Sequence, residues 1–160
     1  MSPKIHLVAV EDSADALGAD VARSLKQLDA SIALTGVGGA RMKALGVQSD
    51  VDVGGLAILG LFDGLRALGR VQKAVVELAD DVEKQKPDSV VLIDSWGLMW
   101  RLARELKQRG FPGRIIRLVG PQVWATRPGR AKTLAKWCDH LLCLHDFEQS
   151  FYAGTGLPTT

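Results

Sequence analysis

The chain has 160 residues, of which 47% are hydrophobic, and this size and composition predict one well-packed globular domain. Twenty basic and eighteen acidic residues leave a net charge of only +2, which is too balanced to indicate a nucleic-acid partner. The two cysteines, Cys138 and Cys143, do not make a disulfide framework and indicate a reducing cytoplasm. No apolar run approaches the ~20 residues that span a bilayer, and charged residues come too early for a signal peptide.

The first half of the chain alternates between strand and helix patterns. An apolar run at Lys4–Val10 predicts a strand, and apolar residues at helical spacing predict a helix over Asp15–Asp29. Ser31–Thr35 has the pattern of a second strand, after which a glycine-rich turn leads into a short helix that ends at Gly46. The amphipathic stretch Gly64–Lys86 predicts a long helix with one apolar face.

The second half repeats this alternation. Ser89–Asp94 is a continuous apolar run, typical of a strand buried on both faces, and a helical pattern follows over Leu98–Leu106. Arg114–Gly120 predicts another strand, and a loop with prolines and arginines then leads to a helix that reaches about Trp137. HLLCLH, residues 140–145, predicts a last strand, and GLPTT stands where a further strand is expected to begin. The repeated order predicts an α/β fold with a parallel, doubly wound sheet.

Polar or glycine-rich segments follow four of the predicted strands. They are Glu11–Asp15, Gly36–Arg41, Asp94–Gly97 and Gly120–Arg130. Ligands of doubly wound sheets bind at the carboxyl ends of the strands, so the topology alone gathers these segments around one crevice. The sequence therefore predicts a binding site at this edge of the sheet.

Motifs within these segments keep a fixed order along the chain. The first turn carries Glu11, Ser13, Asp15, Gly18 and Ala19, and the second carries Gly36, Val37, Gly39 and Met42. The third strand ends with Ile93 and Asp94. The pattern P-x-V-W-A-x-R-x-x-R is formed by Pro121, Val123, Trp124, Ala125, Arg127 and Arg130, and the segment FEQSFY comes after it. In order and spacing these segments resemble the lipid-A-disaccharide synthases, bacterial glycosyltransferases that join two acylated glucosamines. The resemblance covers nearly all of the chain.

The resemblance implies a fold and a reaction. Residues 1–160 are expected to form the N-terminal, acceptor-side Rossmann-like domain of a GT-B-type glycosyltransferase, with the nucleotide-sugar domain absent from this chain and the isolated fragment inactive. The implied reaction transfers 2,3-diacylglucosamine from its UDP carrier to 2,3-diacylglucosamine 1-phosphate, giving the β-1,6-linked lipid A disaccharide phosphate and UDP. No cofactor is implied, the expected location is peripheral at the inner face of the inner membrane, and the oligomeric state stays open.

Two features depart from the family's pattern. Val10 and Ala14 stand where the family has glycines, and side chains there are expected to narrow or shift the pocket. SWGLM follows Asp94, so the family's second carboxylate is missing. These departures motivate an alternative function, a non-catalytic Rossmann-like domain that binds lipid or sugar or has a regulatory role. A third hypothesis is a response-regulator-like signalling domain, because Glu11 and Asp12 resemble its acidic pocket.

Asp94 is the candidate catalytic residue. The resemblance implies inversion at the anomeric carbon, which needs a base for the acceptor hydroxyl, and Asp94 matches the family's catalytic aspartate. An aspartate after a strand is also a common helix cap, and position alone does not separate the two roles. The match to the family favours catalysis.

The first two turns carry the candidate sugar ligands. The resemblance implies substrate-binding roles for Glu11, Ser13, Asp15 and Gly39. Carboxylates and hydroxyls are the partners that sugar hydroxyls need. Ser13 or Asp15 can also cap the helix that follows, and we expect one of them to do so.

Arg127 and Arg130, beside Trp124, form a concentrated cationic spot on a loop. An acceptor with a 1-phosphate needs such a partner, because a guanidinium group pairs with phosphate oxygens in a fixed fork. The alternative is a solvated loop in which Trp124 covers the end of the sheet.

The connection Val53–Gly69 is unusually apolar. The candidate contacts with acyl chains or a membrane surface are Leu56, Ile58, Leu59, Leu61, Phe62 and Leu65. These side chains cannot all face one core, although a loop and helix buried against the sheet is the alternative.

Cysteines and histidines cluster near the end of the sequence. Cys138, His140, Cys143 and His145 match no common zinc spacing, and an extended strand sends His140 and Cys143 to opposite faces, so no metal site is expected. The glycines at 36, 38 and 39 follow the second strand and lack the full G-x-G-x-x-G pattern, so they do not indicate a dinucleotide.

Overall fold

The structure, a computed structural model, describes residues 2–51 and 64–160, with only the backbone described for residues 64–67. The strands in these ranges are β1 (Lys4–Val8), β2 (Ala33–Val37), β3 (Ser89–Ile93), β4 (Arg114–Leu118) and β5 (His140–Leu142). The helices are α1 (Asp12–Leu28), α2 (Ala40–Lys43), α3 (Gly64–Gln85), α4 (Trp96–Gln108) and α5 (Gly129–Trp137), followed by 3₁₀ turns at Asp146–Phe151 and Ala153–Thr155.

The strands form one parallel sheet in the order β2-β1-β3-β4-β5. This arrangement confirms the predicted doubly wound, Rossmann-like α/β fold. The strand order reverses between β1 and β3, and such a switch point opens a crevice at the carboxyl ends of the two strands. Beyond β5, Thr159 forms a parallel bridge with Leu141, so the GLPTT segment does pair with the edge of the sheet.

The sheet is buried on both faces because its strands are almost continuously apolar. Val90 and Leu92 of β3 face the core shared with α3, α4 and α5. The alternate residues Val91 and Ile93 face the core shared with α1 and α2. Helices therefore cover both sides of the sheet, and its carboxyl edge is left to the turns that carry the predicted site.

The element boundaries differ from the prediction by a few residues. β1 ends at Val8, and α1 begins at Asp12, three residues before the predicted start. β2 begins at Ala33 because Asp29 accepts a hydrogen bond from the Ser31 backbone N–H, at 2.8 Å, and this turn occupies the predicted start of the strand.

A buried polar pair lies in the middle of the sheet. His6 of β1 is completely buried, its Nδ1 lies 2.9 Å from the Thr35 hydroxyl, and its Nε2 lies 3.5 Å from an Asp81 oxygen. Burial lowers the pKa of His6 from 6.5 to about 4, with the Asp81 charge opposing that change and the Lys4 charge adding to it. His6 is therefore neutral in the folded protein at neutral pH.

Candidate functional site

The site forms where β1 and β3 end, at the switch point of the sheet. Glu11 follows β1, and its carboxylate accepts a hydrogen bond of 2.7 Å from the Ser95 hydroxyl that follows β3. This bond joins residues that are 84 positions apart in the sequence and links the turn after β1 to the turn after β3. The first and third turns are thus brought together, as the topology predicted.

Asp94 lies beside this bond in a strained backbone conformation. Its φ is +53° and that of Ser95 is +43°, a region that side-chain-bearing residues rarely adopt. The Asp94 backbone N–H donates to the Leu118 carbonyl at 3.1 Å, which fixes the turn against β4. Strain of this kind clusters where the surrounding structure must present a side chain in one direction.

The Asp94 carboxylate is half-buried and makes no hydrogen bond within residues 2–51 and 64–160. The N-cap position of α4 is Ser95, and the Ser95 side chain makes no capping hydrogen bond in the part of the chain that the structure describes. The alternative role of Asp94 as the helix cap is therefore wrong, and its oxygens stay available to a ligand.

A buried arginine lies near Asp94. Arg117 of β4 is 2% exposed, and its Nε donates to the Val119 carbonyl at 2.9 Å, in a residue whose φ is +67°. Burial lowers the pKa of Arg117 to about 10, while the charges of Cys138, Asp94 and Tyr152 oppose that change. Arg117 thus stays cationic at neutral pH and places a positive charge behind the Asp94 turn.

Asp15 has the opposite surroundings, although it belongs to the same edge. It is buried, and its carboxylate accepts backbone hydrogen bonds from Gly39 at 2.8 Å, Arg41 at 3.0 Å and Met42 at 3.1 Å. These donors are the free N–H groups at the start of α2, so Asp15 caps a neighbouring helix. The expectation that Ser13 or Asp15 caps α1 is wrong, since α1 has Glu11 at its N-cap and no side-chain cap bond.

The contact with Asp15 explains why residue 39 is a glycine. A Cβ at that position would lie 2.8 Å from an Asp15 oxygen, so a larger residue would push the carboxylate away from the turn. The nearby Ser13 is exposed on the first turn of α1. Of the first-turn candidates, Ser13 and Glu11 face solvent and Asp15 does not.

The two side chains that replace the family's turn glycines do not enter the crevice. Val10 is 6% exposed and belongs to the core beneath α3, α4 and α5. Ala14 is fully buried in the core on the opposite face. The expectation that they narrow the pocket is therefore not met, because both side chains pack into the protein interior.

The tryptophan loop divides into two parts. Trp124 is exposed and packs edge-on against Phe147 at 5.6 Å between ring centres. Arg130 instead lies over the Trp96 ring at 5.0 Å. The loop is held by Tyr152, whose hydroxyl donates to the Pro121 carbonyl at 2.9 Å. Trp124 and Arg130 thus contact different aromatic rings.

Arg127 and Arg130 belong to a cleft of about 430 Å³ between α4 and α5. Its lining residues are Trp96, Gly97, Trp100, Arg101, Arg127, Arg130 and Thr133. Trp96, Trp100 and Arg101 were not predicted as site residues from the sequence, although Trp96 and Trp100 are spaced to share one face of a helix. We call this feature the arginine–tryptophan cleft.

Three successive residues link the parts of the site. Asp94 presents the free carboxylate, Ser95 bonds to Glu11, and Trp96 supports Arg130. The carboxylate, the first turn and the cleft are therefore adjacent along the same short segment of chain.

Three predictions concern residues or groups beyond this site. The predicted lipid contacts Leu56, Ile58, Leu59, Leu61, Phe62 and Leu65 lie outside the residues whose side chains are described. Within the described ranges, no helix has the length and apolar character to cross a membrane. Over the same ranges, no three His, Cys, Asp or Glu side chains converge as metal ligands.

The sequence matches the family described as lipid-A-disaccharide synthetase over residues 5–160. The lipid-A-disaccharide synthase of Coxiella burnetii (strain Dugway 5J108-111) is 38% identical over 156 residues, which cover 98% of this chain and 41% of the relative. That of Gluconobacter oxydans (strain 621H) is 39% identical over 153 residues, which cover 96% and 36%. The chain therefore spans about two fifths of the length of the curated relatives it matches.

The solved structures that match share the fold at low sequence identity. A putative UDP-N-acetylglucosamine 2-epimerase from Listeria monocytogenes has a TM-score of 0.71 and 8% identity, covering 98% of this chain and 42% of its own. At that identity the likeness establishes the Rossmann-like fold alone.

Proposed function

We propose that this chain, which belongs to the lipid-A-disaccharide synthetase family, is the N-terminal, acceptor-side domain of an inverting glycosyltransferase. The proposed reaction moves 2,3-diacylglucosamine from UDP to the 6-hydroxyl of 2,3-diacylglucosamine 1-phosphate. The family match over nearly the whole chain supports the reaction class. Family membership also argues against the signalling-domain hypothesis.

The free carboxylate of Asp94 is the observation that carries the catalytic part of the proposal. It stands at the switch point of the sheet, on a strained turn, with no hydrogen-bond partner among the described residues. A carboxylate that makes no hydrogen bond among the described residues, yet is held in place at a ligand-binding edge, suits a general base.

The proposed step needs one proton transfer and one displacement. Asp94 accepts the proton of the acceptor's 6-hydroxyl as that oxygen attacks the anomeric carbon of the donor. The bond between this carbon and the UDP oxygen breaks, UDP leaves with the electron pair, and the configuration inverts. No covalent sugar–enzyme intermediate forms, since the displacement is direct.

The other candidates take different parts in this proposal. Glu11 and Ser95 link the turns after β1 and β3 and fix the turn that carries Asp94, and the exposed Ser13 is placed to meet a sugar hydroxyl. Asp15 and Gly39 stabilise the second turn, because the Asp15 carboxylate accepts hydrogen bonds from the Gly39 backbone and from the first backbone N–H groups of α2. Their contribution to substrate binding is therefore indirect.

The proposed partners are the UDP-linked donor and the acylated acceptor. The apolar segment Val53–Gly69 is proposed to receive acyl chains or the membrane surface, with the protein peripheral at the inner face of the inner membrane. Arg127 and Arg130 are proposed to pair with the acceptor phosphate. The donor's nucleotide is assigned to a second domain, outside residues 1–160.

Product formation tests this function directly. A protein that carries this chain and the rest of the family's length is incubated with UDP-2,3-diacylglucosamine and 2,3-diacylglucosamine 1-phosphate, and products are followed by mass spectrometry. We expect one disaccharide phosphate and one UDP per transfer, and no product from the 160-residue chain alone. Product formation by the isolated chain would contradict the assignment of the donor site to a second domain.

The second candidate function is a non-catalytic domain that binds the acceptor. It is favoured by Gly97, which is exposed and stands where the family has its second carboxylate. If the longer protein binds the acceptor but forms no disaccharide from the donor and the acceptor, this function is supported and the enzymatic one is overturned.

A further inference from the structure

The arginine–tryptophan cleft concentrates positive charge in an unusual way. Arg101, Arg127 and Arg130 line it, and Arg104 lies against the same Trp100 ring. Within the described ranges, none of these four guanidinium groups has a carboxylate at ion-pair distance. The buried Nε of Arg104 also has no hydrogen-bond partner there.

Arg109, at the other end of α4, shows what a partnered arginine looks like in this protein. It pairs with Asp80 at 2.7 Å, with Glu105 at 2.9 Å and with Glu83 at 3.1 Å. These carboxylates raise the pKa of Arg109 well above its usual range. Of these partners Glu105 lies on α4, whereas Asp80 and Glu83 lie on α3. The contrast indicates that the cleft arginines lack carboxylate partners because of their position, although Arg101 does donate a hydrogen bond to the Gly97 carbonyl at 2.6 Å.

The positive charges of the cleft arginines also repel one another. Partial burial lowers the pKa of Arg101, and the neighbouring Arg104 charge lowers it further. The pKa of Arg130 is lowered by the same two causes, with Arg127 as the neighbouring charge. An anion that enters the cleft relieves this repulsion, so the electrostatics favour an anionic occupant.

Aromatic rings hold the guanidinium groups in place. Arg101 and Arg104 lie over Trp100 at 4.6 and 5.4 Å, and Arg130 lies over Trp96 at 5.0 Å. The two rings stack on each other at 6.4 Å and 29°. A cation–π contact uses the face of the guanidinium group and leaves N–H donors at its edge for an anion.

We propose that this cleft binds the phosphomonoester of a sugar phosphate, with Arg101 and Arg130 on the phosphate and the tryptophan rings against the sugar. The cleft volume of about 430 Å³ suits a monosaccharide phosphate. A dianionic phosphate matches the forked donors of several guanidinium groups, and a neutral sugar does not. The identity of the sugar rests on the proposed function, whereas the phosphate preference rests on the cleft itself.

A binding titration with glucosamine 1-phosphate tests the proposal on this chain. Tryptophan fluorescence is followed because two tryptophans line the cleft, and calorimetry gives the dissociation constant. Glucosamine 1-phosphate is expected to bind, inorganic phosphate more weakly, and glucosamine without phosphate not at all. Arg101→Gln and Arg130→Gln are each expected to weaken binding by about tenfold or more, the effect of losing a charged hydrogen bond.

Arg114→Gln provides the matched control. It removes the same charge from an exposed position at the start of β4, at the opposite edge of the sheet, and is expected to leave binding unchanged. Circular dichroism of each variant confirms the fold. Equal binding by the Arg130→Gln and wild-type chains, or equal binding of glucosamine with and without phosphate, would overturn the proposal.

Two further arms separate the possible sources of phosphate and the two proposals. The first arm measures binding of the chain to vesicles that contain phosphatidylglycerol. If the vesicles bind and this binding depends on Arg130, while glucosamine 1-phosphate does not bind, the sugar-phosphate site is overturned in favour of a membrane contact. Asp94→Asn is expected to keep glucosamine 1-phosphate binding even where transfer is lost. Transfer without arginine-dependent binding would reject the cleft, and with it the assignment of Arg127 and Arg130 to the acceptor phosphate, and would leave the proposed transfer reaction standing.

Discussion

Asp15 and Asp94 lie on the same edge of the sheet, but their surroundings are opposite. Three backbone N–H groups occupy the buried carboxylate of Asp15, whereas the carboxylate of Asp94 has no hydrogen bond among the described residues. The backbone is strained at Asp94, with φ +53°. Residue type and position at a ligand-binding edge therefore do not distinguish an aspartate that holds the fold from one whose oxygens are open to a ligand. The hydrogen bonds that its oxygens accept do distinguish them.

Matched substitutions to asparagine give the sharpest test of this difference in stability. Asp15→Asn replaces one acceptor oxygen by an NH₂ group that faces backbone donors, and it is expected to lower the free energy of unfolding by about 3 kcal/mol. Asp94→Asn breaks no hydrogen bond among the described residues, and asparagine tolerates positive φ, so its effect is expected to stay within about 1 kcal/mol. Urea unfolding of this chain measures the change in the free energy of unfolding for each variant. Equal losses in the two variants would contradict the proposed difference between Asp15 and Asp94.

A buried polar pair far from the edge extends the comparison to pH. The pKa of His6 is about 4 in the folded protein and 6.5 in the unfolded chain. Between these two pH values the His6 side chain is protonated in the unfolded chain but stays neutral in the folded protein. The contribution of neutral His6 to the free energy of unfolding is therefore fully present above pH 6.5. It is lost as the pH drops towards 4, which lowers the free energy of unfolding by up to about 3 kcal/mol.

Unfolding by urea between pH 7 and pH 4 measures this fall. His6→Asn keeps a polar atom near the Thr35 hydroxyl but removes the titration, so the fall should be smaller in that variant by the same amount. An identical pH dependence in both proteins would show that His6 does not cause the fall in stability.

The bond between Glu11 and Ser95 gives the smallest expected effect. Both partners are near the surface, so Ser95→Ala is expected to cost less than about 1 kcal/mol of stability. Transfer by the longer protein is expected to fall less than tenfold, because the bond only positions the turn. Kinetic assays of Ser95→Ala check this, and a loss as large as that for Asp94→Asn would make the bond itself part of the chemistry.

The fold was predictable because strand and helix patterns are local. Apolar runs such as Ser89–Asp94 and the helical spacing in α4 reflect burial on one element, and their order fixes the parallel sheet. The positions of polar side chains were less accessible. Asp15 was expected to cap its own helix, yet its partners lie 24 to 27 residues further along the chain.

The arginine–tryptophan cleft was missed for a related reason. Residues 96, 100 and 104 recur every four positions, which places them on one face of α4, but that face resembles an ordinary half-buried stripe in the sequence. Only the packing of α5 against α4 brings Arg130 onto Trp96. The cleft therefore depends on two elements whose contact no local pattern encodes.

The steady-state kinetics of Asp94→Asn in the longer protein test the central claim most directly. If Asp94 takes the proton of the acceptor hydroxyl, kcat should fall by about a thousandfold, while KM for the acceptor stays within about threefold. A kcat close to that of the unsubstituted protein, with or without a raised KM, would contradict the assignment of the free carboxylate to the chemical step.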